Sequence, residues 1–132
     1  YSDFTGSANE TIAHVNENGR ILIMFCSFEG PPSVMRLHGQ GQVILPGHQD
    51  FDTFKKQFPQ NLGLRSFIKV TINRASVSCG YSVPLFEFAG HRDALDKWAH
   101  VQGEEKLKEY RAMKNSTSID GLPAYERLRR KE

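Results

Sequence analysis

Four side chains near the start of the sequence, Thr5, Ser7, Asn9 and Thr11, alternate three hydroxyls and an amide just ahead of an apolar-periodic stretch. If a helix begins there, its first amides and its dipole favour an anion, and these side chains add donors around it. The other reading is local. Ser7-Ala8-Asn9-Glu10 fits a capping box, with Ser7 accepting from the amide three residues on and Glu10 reaching back. Further along, Arg36 and His38 fall on the polar face of one alternating segment, where Arg36 can meet a phosphate or a carboxylate, or face solvent or an interface. The thiol of Cys79 precedes Gly80-Tyr81 at a strand break and reads as a buried structural group, since nucleophilic chemistry would need a base and a lowered pKa. His14, His48, His91 and His100 show no metal-ligand spacing, so no metal site is expected. Tyr81 and Trp98 read as core residues that can alternatively stack on a planar ligand.

These groups must be placed by a small set of elements. Tyr1–Thr5 reads as the end of a strand, and Ile12 and Val15 mark one face of a helix that Gly19 stops. Ile21–Phe28 is nearly all apolar and predicts a central strand buried on both faces. Gly30-Pro31-Pro32 turns the chain into a long strand from Val34 to Leu45, in which Gly39 and Gly41 predict a bulge, a barrel corner or the close approach of a ligand. Phe51, Phe54 and Phe58 lie on one face of a short helix over 50–58, and a strand from Leu64 to Val77 alternates cleanly. A short extended piece is expected over Val83–Phe88. Two helical stretches, His91–His100 and Glu104–Lys114, are separated by Gly103. Long alternating strands with glycine corners and a few helices predict an α+β fold, mainly β, built on an antiparallel barrel with peripheral helices.

The chain has 132 residues, enough for one domain, with 24% charged and 39% hydrophobic residues. A net charge of +2 gives no basic face for nucleic acid, so no nucleic-acid partner is expected. No signal peptide or membrane-length apolar run is found, and the two cysteines, Cys26 and Cys79, read as unpaired thiols in a reducing, cytoplasmic setting. The Arg127–Lys131 cluster reads as part of a solvated basic tail over residues 124–132, following a domain over 1–123.

Three stretches carry a resemblance. They are Asn18–Pro32 with the following Arg36-Leu37-His38-Gly39-Gln40-Gly41, then Ser78–Phe88, then Lys114–Pro123 with its Ser-Ile-Asp-Gly-Leu-Pro ending. In order and spacing the sequence resembles the pyridoxamine 5'-phosphate oxidase-like, FMN-binding split-barrel family. That resemblance implies a six-stranded split barrel, a homodimer, and FMN in a cleft at the dimer interface. Two strands and a loop of such a barrel fall before the position of Tyr1. The resemblance also implies that the Thr5–Thr11 loop holds the FMN phosphate, and that Arg36 and the Ser78-Cys79 segment belong to the same cofactor site. Relatives carry Arg and Lys in the phosphate loop and a glutamine two positions before Arg36; here Glu10, Thr11 and Val34 stand near those positions. Three functions stay open: an FMN-dependent oxidoreductase acting on a small molecule of unknown identity, a cofactor-free split-barrel dimer that acts as a binding protein, and a haem-binding relative.

Overall fold

A computed structural model describes residues 1–130. Four strands form one curled antiparallel sheet, half of a barrel. They are β1 (Ser2–Phe4), β2 (Arg20–Cys26), β3 (Ser33–Ile44) and β4 (Leu64–Cys79), in the spatial order β1-β4-β3-β2. The helices are α1 (Glu10–Asn18), α2 (Phe51–Lys55), α3 (Ala94–Lys114) and α4 (Tyr125–Arg129). The architecture is α+β and mainly β, as the alternation predicts, and fits the split barrel that the resemblance implies. Among the described residues the sheet has four strands.

The long strands obey their period-two patterns. Val43 faces Ile68 across the β3–β4 ladder, and Ile44 faces Phe67, so successive residues feed two different cores. On one face Ile12 of α1, Leu45, Ile68 and Tyr125 of α4 pack together. On the other, Phe51, Phe54 and Phe58 surround Phe67 with ring centroids 5.3–5.8 Å apart. The aromatic stripe read from the sequence is therefore a core stripe. Gly39 marks the expected bulge: the β3–β4 register shifts between His38 and Gly39. A Cβ on Gly39 would stand 2.4 Å from the carbonyl oxygen of Thr71. Gly19 ends α1 at φ 69°, a conformation that favours glycine.

Gly103 divides α3 as the sequence predicts, with φ 70° and ψ 171°. A straight helix would hold residues 98 and 110 about 18 Å apart along its axis. The rings of Trp98 and Tyr110 instead meet edge-on at 5.1 Å, so the two arms fold back on each other.

Several expectations are corrected. β2 is a sheet edge among the described residues, not a central strand, and Leu22, Met24 and Phe25 are exposed. An unbroken apolar run signals burial but does not say against what. Val83–Phe88 forms no strand: one backbone bond, Phe86 N–H to the Phe28 carbonyl at 3.0 Å, ties it to the sheet end, and Pro84 lacks a donor. Ser7 does not cap α1. Asn9 occupies the cap position without a side-chain cap bond, and Glu10 turns elsewhere. Cys79 is exposed rather than buried, and both cysteines are free thiols. Tyr81 is exposed, not core. The region assigned to the basic tail contains α4, with Ala124, Tyr125 and Glu126 buried; Lys131 and Glu132 of that cluster lie outside the described residues. No helix among the described residues is long and apolar enough to cross a membrane.

Candidate functional site: a cleft at the start of helix α1

The loop between β1 and α1 is held from beneath by side chains distant in sequence. Arg65, at 3% exposure the most deeply buried cation described, lies on β4 beside β1. Its Nε donates to Asp3 Oδ2 at 2.8 Å and its Nη2 to Asp3 Oδ1 at 2.9 Å, a bidentate pair. The same guanidinium donates to the carbonyls of Ala8 at 3.0 Å and Gly6 at 3.4 Å. Asn115, fully buried at the end of α3, donates from Nδ2 to the carbonyl of Gly6 at 2.8 Å and, more weakly, to that of Ser7 at 3.5 Å.

The loop's carbonyls are thus drawn inward. The amides of Gly6, Ser7, Ala8 and Asn9 donate to no protein acceptor among the described residues, and the first amides of α1 follow directly. These residues line an open cleft of about 430 Å³ with Thr11, Asp3 and Arg65. A peptide loop with occupied carbonyls and free amides presents positive partial charge, the arrangement that receives an oxyanion.

The four side chains singled out from the sequence divide in two. Ser7 and Thr11 are exposed, and both line the cleft. Thr5 and Asn9 are buried and bonded within the fold. Thr5 Oγ1 donates to the Gly63 carbonyl at 2.9 Å and accepts from Arg111 Nη1 at 3.0 Å; Asn9 Nδ2 donates to the Thr117 carbonyl at 3.2 Å. The Oδ1 atoms of Asn9 and Asn115 are buried without a partner.

Charge in the cleft is unusual for an anion site. Arg65 is neutralised by Asp3, and Glu10 adds a carboxylate to the lining. Glu10 accepts from the amide of Ile119 at 3.1 and 3.3 Å and lies 3.8 Å from His14 Nε2. His14 is also 3.5 Å from Asp120, whose carboxyl is held below its ordinary value chiefly by the Ser118 hydroxyl. Glu10, His14 and Asp120 form one cluster that linear spacing could not show, because Asp120 arrives from the segment after α3.

Arg36, Ser78 and Cys79 lie elsewhere. Arg36 Nη1 donates to Ser78 Oγ at 2.7 Å across β3 and β4, near the end where Val34 pairs with Ser78. The cleft adjoins the opposite end, where Ile44 pairs with Phe67 and Ser66 pairs with Asp3. Eight residues of strand separate Arg36 from Ile44, about 26 Å. The seven residues therefore make two groups at opposite ends of the sheet in one protomer. Arg65, Arg111 and Asn115 escaped the sequence reading. Each is an unremarkable residue locally, and each acts on a segment at least 57 positions away.

No family model matches the chain, and no solved structure matches it. Over 138 aligned positions it is 36% identical to the pyridoxamine 5'-phosphate oxidase family protein ustO of Aspergillus flavus, an alignment covering 93% of this chain. The chain spans 55% of the length of that relative. With the split-barrel sheet, this similarity shows that the chain belongs to the pyridoxamine 5'-phosphate oxidase-like family.

Proposed function

We propose that this chain is the FMN-binding part of a flavin-dependent oxidoreductase that works as a homodimer on a small-molecule substrate in the reducing cytoplasm. The observation that carries the reading is the loop before α1, whose carbonyls are occupied by Arg65 and Asn115 while its amides stand free over a cleft of about 430 Å³. The amides of Gly6–Asn9 and the hydroxyls of Ser7 and Thr11 would receive the FMN phosphate. Arg65 and Asn115 would fix the loop by holding its carbonyls. The flavin, when bound, supplies the electron or hydride chemistry, and the protein supplies binding and orientation.

Two further observations support the homodimer. Phe25, Met35 and Val77 are aligned across β2, β3 and β4, on the face that buries Ile21 nearer α1, yet they are 54%, 42% and 65% exposed. A continuous apolar row of this kind marks a contact surface. The Arg36–Ser78 pair sits at this uncovered end, too far from its own α1 cleft to share one cofactor with it. Pairing two protomers can bring one chain's cleft to the other chain's Arg36, Ser78 and Cys79.

Glu10 favours the second reading, a cofactor-free dimer, because a carboxylate in the lining opposes a dianion. Its bonds to the Ile119 amide offset part of that opposition. Titrating the purified protein with FMN and with riboflavin, read by flavin fluorescence quenching, separates the two. The flavoprotein reading expects FMN to bind at least about tenfold more tightly, since riboflavin lacks the charged hydrogen-bonding group. Equal affinities, or no quenching by either, would leave the cofactor-free reading. A Soret band on adding haem would favour the haem-binding one.

A further inference from the structure

A second cavity, of about 470 Å³, lies between α3 and α4 and is closed on one side by Pro46. Its walls carry Lys108, Arg111 and Arg129 against Glu109 and Glu126. Most of these charges are already matched. Lys108 pairs with Glu105 at 2.7 Å, and Arg129 and Arg130 pair with Glu126 at 2.9 and 3.1 Å. Arg111 differs: among the described residues it meets no carboxylate. One nitrogen donates to Thr5, and the guanidinium lies over the ring of Tyr125, 5.8 Å from its centroid.

Tyr125 lies directly beneath this guanidinium. The residue is 4% exposed, and its ring belongs to the core with Ile12, Leu45 and Ile68. Its hydroxyl has no hydrogen-bond partner among the described residues and is not one of the sealed-off buried polar atoms, and the residue lines the cavity. Burial also pushes the phenol's pKa up, which keeps it a donor near neutral pH. A buried tyrosine hydroxyl and a neighbouring arginine, neither matched by an acceptor of opposite charge among the described residues, leave donors unused on one cavity wall.

We infer that this cavity is a binding site for a small organic monocarboxylate, received by the free edge of Arg111 and the hydroxyl of Tyr125. The lining selects a monoanion. Three cations against two carboxylates leave one positive charge, which one carboxylate balances and a phosphate dianion overshoots. Pro46, Ala112 and the tyrosine ring give an apolar side for a short hydrocarbon body. This inference is independent of the flavin reading.

The test is a heteronuclear NMR titration of the protein with benzoate, propionate and inorganic phosphate, following the amides of α3 and α4 and the side-chain Nε–H of Arg111. Saturable shifts with benzoate or propionate, stronger than with phosphate, are expected. Tyr125→Phe keeps the ring and should weaken carboxylate binding about tenfold, the loss of one hydrogen bond to a charged group. Arg111→Met should abolish it. Because Arg111 also contacts Thr5, the Tyr125→Phe result decides if Arg111→Met fails to fold. Absence of saturable shifts up to millimolar ligand, affinity unchanged in Tyr125→Phe, or tighter binding of phosphate than of carboxylate would each overturn the inference.

Discussion

Replacing Arg65 by Met removes the guanidinium but keeps an unbranched stem of similar reach. In the native protein four donations leave that group: two to Asp3 and one each to the carbonyls of Gly6 and Ala8. After the change Asp3 keeps only the Ser66 hydroxyl, at 2.8 Å, and its side chain is 16% exposed, so water restores little. Breaking a buried pair by deleting one partner costs about 3–5 kcal/mol, and that range already includes the stranded charge. Such domains hold about 5–15 kcal/mol in all. The melting temperature should therefore fall by about 10 °C or more. Urea denaturation of the wild type, Arg65→Met, Asp3→Asn and the double variant gives the coupling. The double variant should lose at least about 1 kcal/mol less than the sum of the singles, because neither partner is left stranded. A loss under about 1 kcal/mol for Arg65→Met, or strict additivity, would refute the claim that this pair holds the loop.

Gly39→Ala should destabilise by about 1–3 kcal/mol in the same assay, because its Cβ would press on the Thr71 carbonyl, which is backbone and cannot swing away. If the proposed homodimer forms, light scattering should show a dimeric wild type and a monomeric Met35→Glu variant with an unchanged circular dichroism spectrum; a monomeric wild type would refute the dimer, and a dimeric variant would place the interface elsewhere. Burial works to raise the Glu126 pKa, but its bonds to Arg129 and Arg130 together hold it below the ordinary 4.5. A carboxyl depressed in the folded state stabilises fully above its unfolded value and loses that contribution as pH falls through the folded one. Glu126→Gln should accordingly flatten the stability loss seen on acidification below about pH 4.5; an unchanged slope would count against the pairing.

The core of the sheet was legible because β4 alternates through its middle, as in Ile68, Val70 and Ile72 against Lys69, Thr71 and Asn73. Gly19, Gly39 and Gly103 announced their turn, bulge and break, and Phe51, Phe54 and Phe58 announced an aromatic cluster, although α2 ends at Lys55 and Phe58 packs on Phe67 from beyond it. The hydroxyl-rich loop before α1 could be located for the same local reason. The residues that build its floor could not. Arg65 reads as one more polar strand position and Asn115 as a helix end; their partners are set by how β1, β4 and α3 come together. The β2 run misled in the opposite direction: its apolar character is real, but among the described residues β2 is a sheet edge with Leu22, Met24 and Phe25 exposed.

The central claim is that the free amides before α1 receive the phosphate of a flavin. Backbone ¹⁵N–¹H spectra recorded with and without FMN, and with riboflavin as the phosphate-free control, test it most directly. The account predicts large, FMN-specific shifts at Gly6, Ser7, Ala8 and Asn9. Shifts that leave those four amides untouched, or that riboflavin reproduces there, would contradict it.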